Sequence, residues 1–146
     1  MKSLTYKLVL DKLERYCEGE LWRGYDPYDG LNSPLFQIIP LKRKPVFRLA
    51  WSYIVRNLPF NLRPLLLIEK EHNPKALALF VSSYSQLFRF YKKREYLARA
   101  KFLATILESG KIESFGGPSW GYNFPWQSKV LYAPKGIPNA ICTTFA

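Results

Sequence analysis

The chain has 146 residues, a length that fits one domain and leaves room for a core. Its 48% apolar content excludes wholesale disorder, and 16% aromatic residues is rich for a helical protein. A formal net charge of +11 favours anionic partners, although charge alone says little about function.

Cys17 and Cys142 lie far apart, and His72 is the single histidine. This usage implies neither a disulfide framework nor a metal site, and it reads as a reducing compartment. The N-terminal run has no apolar signal region, and no stretch of about eighteen apolar residues exists. A cytoplasmic location without a transmembrane segment is expected.

In chain order, Ser3 is placed to cap a helix over Leu4–Glu18, with Tyr6, Leu10, Leu13 and Cys17 at helical spacing and Gly19 as its stop. Residues 22–34 read as continuous turn chemistry, with two Gly, two Pro, two Asp, an Asn and a Ser. Pro45 starts a second helix whose stripe is Phe47, Trp51, Ile54 and Leu58, ended by Pro59. Six basic residues and no acid lie between Lys42 and Arg63. Asn61 is expected to cap a short helix containing Leu65–Ile68.

Asn73-Pro74 is a strong helix start. Leu77, Phe80, Val81, Tyr84, Leu87, Phe88 and Tyr91 follow on one face. A basic turn at Lys92-Lys93-Arg94 leads to Leu97, Ala100, Ala104 and Leu107, and Gly110 closes the pattern. Together these predict an antiparallel αα-hairpin. The stretch from Phe115 to Ile137 reads as irregular. Pro138-Asn139 opens a last helical pattern that reaches Ala146 with no partner in view. We therefore read residues 1–146 as a single helical domain, the N-terminal part of a larger one.

Two loops could carry chemistry. The first, Gly24–Ser33, presents Asp26, Tyr28, Asp29 and Asn32. These groups can bond sugar hydroxyls, hold a hard cation or act as acid and base. Ordinary turn chemistry accounts for the same residues, and the spacing excludes an EF-hand. The second, Trp120–Lys129, crowds Trp120, Tyr122, Phe124 and Trp126 among Asn123, Gln127 and Lys129 without helical period. Such rings stack on the C–H face of sugars or on bases, or they bury themselves against the helices. No nucleophile elbow, phosphate loop or dinucleotide fingerprint is present, so no reaction, cofactor or metal follows.

GYDPYDGLNSP, NLRPLL, NPKALALF, WGYNFPWQ and PKGIPNAICTTFA together resemble the opening of a family encoded with bacterial capsular and lipopolysaccharide biosynthesis genes. That family resembles six-hairpin (α/α) toroids, the architecture of many glycosidases and polysaccharide lyases. The resemblance covers most of this chain and about a third of a toroid. It departs from the family at Pro125, where an acidic residue is usual. It implies a mainly α fold, the helical hairpins of an incomplete (α/α) toroid with long ordered loops. It also implies that Asp26, Tyr28, Asp29, Asn32, Trp120, Tyr122, Asn123, Trp126 and Gln127 line a rim for a glycan or sugar-phosphate, with polysaccharide-assembly proteins as partners. Two readings compete: a basic module for nucleic acid or an anionic membrane, and a non-catalytic helical scaffold. No recognition-helix motif supports nucleic acid, and no acidic run supports a terpenoid-cyclase toroid.

Overall fold

A computed structural model describes residues 2–146, with side chains described from Tyr6 onward. The described chain is mainly helical, with α1 (Lys2–Gly19), α2 (Pro34–Ile38), α3 (Pro45–Asn57), α4 (Pro74–Tyr91), α5 (Arg94–Ser109) and α6 (Ala140–Phe145). Short 3₁₀ turns occupy Asp29–Asn32 and Pro40–Arg43.

The hairpin of α4 and α5 builds the core. Asn73 caps α4 by accepting the Lys75 N–H at 3.1 Å, and Pro74 takes the first helical position. Lys92, at φ 57°, turns the chain, and α5 runs back against α4. Leu77, Ala78 and Tyr84 from one helix meet Tyr96, Ala100, Leu103 and Leu107 from the other.

α1 begins ahead of Leu4, so Ser3 lies within the helix and not before it; its side chain is outside the described residues. Gly19 ends α1 without making the reversal. Leu21 and Trp22 make it, at φ 51° and 54°. Leu21 N–H donates to Glu18 O and Trp22 N–H to Cys17 O, the paired bonds of a Schellman closure. Left-handed backbone costs such residues about 1–2 kcal/mol each. Burial of the Trp22 ring against Tyr84 and Phe102 offsets that cost.

Two expectations for the middle of the chain are corrected. Leu65–Ile68 is a single turn, because Leu67 enters the left-handed region at φ 56° and Ile68 N–H closes back on Arg63 O. The inward face of α3 is only in part the expected one. Trp51 turns inward, donating its indole N–H to Gly30 O at 2.9 Å, and Leu58 is half-buried. Phe47 and Ile54 of the same stripe face out, and Val55 is buried instead.

The tail is more regular than its composition predicted. β1 (Ile112–Ser114) pairs with β2 (Gly117–Ser119), and β3 (Trp126–Gln127) with β4 (Tyr132–Ala133), both antiparallel. Phe115 and Gly116 form the first two-residue turn, both at positive φ as a type I′ turn requires. α6 has a partner after all: it packs on α4 and β2, and Cys142 is wholly buried there. Asn139 caps it through the Cys142 N–H at 2.9 Å.

Gly121 bridges to Pro138. A Cβ there would stand 2.3 Å from Ile137 O and 2.5 Å from Gly136 O. The loop and the tail can therefore close only on a glycine.

Candidate functional site

The two loops lie side by side, and Glu71 joins them. Gly24 and Glu71 exchange backbone N–H···O bonds at 3.0 and 3.1 Å. The Glu71 carboxylate accepts Asn123 Nδ2 at 3.3 Å and Lys135 Nζ at 2.6 Å. Asn32 Nδ2 reaches across to Asn123 O at 3.1 Å. Glu71 sits in a short charged stretch that carries no motif, so nothing in the sequence pointed to it.

Asp26 and Asp29 do different work. Asp29 is buried. Its Oδ1 accepts Arg63 Nε at 2.7 Å and its Oδ2 accepts the Asp26 N–H at 3.0 Å. Burial pushes its carboxyl above the ordinary range, and Arg63 offsets that only in part. Asp26 is half-buried. It accepts the Tyr28 N–H at 2.9 Å, an Asx-turn, and Asn73 Nδ2 at 3.3 Å. The Asn73 amide thus caps α4 through its oxygen and steadies the loop through its nitrogen.

A cleft of about 640 Å³ opens between the loops. Tyr122 and Phe124 stack along it with centroids 5.0 Å apart, and Tyr28 and Trp126 border it. Asp26, Asn73, Lys75 and Asn139 supply its polar edge. Burial raises the Tyr122 phenol above its usual value, so it stays neutral at physiological pH. A second cleft of about 570 Å³ lies beyond Asp26, Asn73 and Lys75, bordered by Trp22, Tyr25, Glu71 and Asn123. Among the described residues, none partners the buried Asn123 Oδ1 there.

Of the nine residues singled out in the sequence, Asp26, Tyr28, Tyr122 and Trp126 border the larger cleft, and Asn123 and Asp26 the smaller. Asn32 serves as the tie between loops. Three turn inward. Asp29 holds Arg63. Trp120 is buried in the hairpin core and donates Nε1–H to Leu107 O at 2.8 Å. Gln127 is buried, accepts Arg48 Nε at 2.7 Å and donates to Leu131 O at 3.1 Å. Asn73 and Lys75 border both clefts and were not anticipated there: Asn73 reads as a cap, and a lone lysine in a first helical turn has no signature.

Among the described residues, no group of three or more His, Cys, Asp or Glu side chains is placed to hold a metal ion, and no helix is long and apolar enough to cross a membrane. No family model, curated protein or solved structure matches the chain.

Proposed function

We propose that this chain binds a saccharide in the larger cleft between its two loops. The observation that carries the reading is the meeting of aromatic faces with a polar edge. Tyr28, Tyr122 and Trp126 border the same space as Asp26, Asn73 and Lys75. A sugar ring has an apolar C–H face and a rim of hydroxyls. It therefore needs a flat aromatic surface below and carboxylate or amide groups at its edge. Lys75 suits an acidic or phosphate-linked sugar. The sequence resemblance adds a setting in bacterial surface polysaccharide biosynthesis. In that setting the α4–α5 pair would be one hairpin of an (α/α) toroid. The reading is one of binding and names no reaction.

Saturation-transfer NMR and titration calorimetry on the chain test it, with a neutral oligosaccharide and a uronic-acid oligosaccharide as probes. Trp126→Ala should weaken binding about tenfold, the scale of one lost stacking contact. Lys75→Gln should weaken the acidic probe and spare the neutral one. Binding unchanged by Trp126→Ala, with the fold intact by circular dichroism, removes the cleft from the reading.

A further inference from the structure

The outward face of α3 has no role in the cleft. Its inward face is occupied: Val55 lies against Gly30, Trp51 bonds Gly30 O, and Arg48 bonds Gln127. On the other side Val46, Phe47, Ala50, Tyr53 and Ile54 are all exposed. At about 100° per residue they fall within an arc of about 120°. Val46 is 73% and Tyr53 63% exposed, so this is an open apolar stripe and not a seam. Exposed Ile38 and Leu41 precede it, and exposed Phe60 follows.

The charge of this segment has one sign. Residues 30–68 contain no Asp or Glu and six Lys or Arg. Arg48 and Arg63 are engaged inward by Gln127 and Asp29. Lys42 bonds Gln37 O through Nζ, whereas Arg43, Lys44 and Arg56 remain around the stripe, with the Arg56 guanidinium 5.8 Å from the Tyr53 ring centroid and 5.1 Å from that of Tyr28. α1 also exposes an apolar stripe, Tyr6, Val9, Leu13 and Tyr16, but its charges are mixed, with Asp11 and Glu14 beside Lys7 and Lys12. Its charge names no occupant, whereas that of α3 does.

We infer that the outward face of α3, with the turns before it, docks on an anionic lipid surface. Apolar side chains enter the boundary between headgroups and acyl chains, and flanking cations meet the lipid charge. Tyrosine beside arginine suits that depth, where one end of the ring is apolar and the other wet. A nucleic acid would use the cations and leave Val46, Phe47 and Ile54 unused. An acidic protein would need a surface shaped to this convex helix, a condition a bilayer does not impose.

Cosedimentation of the chain with vesicles tests the inference. Mixed phosphatidylcholine–phosphatidylglycerol vesicles should retain it and pure phosphatidylcholine vesicles should not. Raising salt from about 0.1 M to about 1 M should cut binding about tenfold or more. The double variant Phe47→Glu with Ile54→Glu should lose binding about tenfold with its circular dichroism and sugar binding unchanged, since both residues are exposed and lie outside the cleft. Equal retention by the two vesicle types, no retention at low salt, or full retention of the double variant would each overturn it. So would self-association, seen by ultracentrifugation and abolished by the double variant, in a chain that leaves vesicles unbound.

Discussion

Asp26 and Asp29 stand three residues apart in one loop and meet opposite surroundings. Asp26 faces the clefts, whereas Asp29 is buried on Arg63 with its carboxyl raised by burial. A carboxyl raised on folding holds its proton more tightly in the native state. Between its unfolded value near ~3.9 and the raised one, the native chain carries more protons. Stability from this group therefore falls as pH rises through that window and returns on acidification. Asp29→Asn should abolish this component of the slope. It should also cost about 1–3 kcal/mol, through loss of the charged bond to Arg63. Urea midpoints of variant and parent across a pH series check both. Glu14 is raised the same way, chiefly by burial, so the difference between the two curves is the quantity to read. Parallel curves would assign the slope away from Asp29.

At the scale of elements, local chemistry was legible wherever one residue decides the outcome. Asn73-Pro74 and Asn139 cap the helices they were expected to cap, and the apolar spacing of α4 and α5 predicted their hairpin. The face of α3 was legible only in part, through Trp51 and Leu58, because the helix carries two apolar stripes. Phe47 and Ile54 fit the better-looking one. The choice between them is made some twenty residues away by Gly30, where a Cβ would lie a tight 3.2 Å from Val55 Cβ, so that the helix packs closely over a glycine. The β1–β2 hairpin was hidden for a related reason. Phe115 stands where Asn or Asp would have announced the turn. Gly121 makes the closest backbone approach of this kind. Gly121→Ala should destabilise the chain by about 2 kcal/mol, because the atoms in the way are backbone and cannot rotate aside. A denaturant midpoint equal to that of the parent would mean that the clasp between loop and tail yields easily.

For the whole molecule, the sequence identified the two loops but not which side of each would face solvent. Loops have no period, so Trp120 and Trp126 look alike on paper. One fills the hairpin core and the other borders the cleft. Glu71, Asn73 and Lys75 border the clefts from outside both loops, through contacts that only the fold creates. The same fold places Cys142 wholly out of solvent on the inward face of α6 and Cys17 nearly so at the end of α1. Burial raises both thiols above their usual range, which slows their chemistry further. The chain thus carries two internal clocks. Under native conditions, alkylation of Cys142 times the lifting of the tail, and alkylation of Cys17 times the loosening of α1. Mass spectrometry over a time course should show Cys142 reacting more slowly, and Gly121→Ala should quicken Cys142 alone. Identical rates at the two sulfurs would instead mean that tail and first helix let go in one concerted opening.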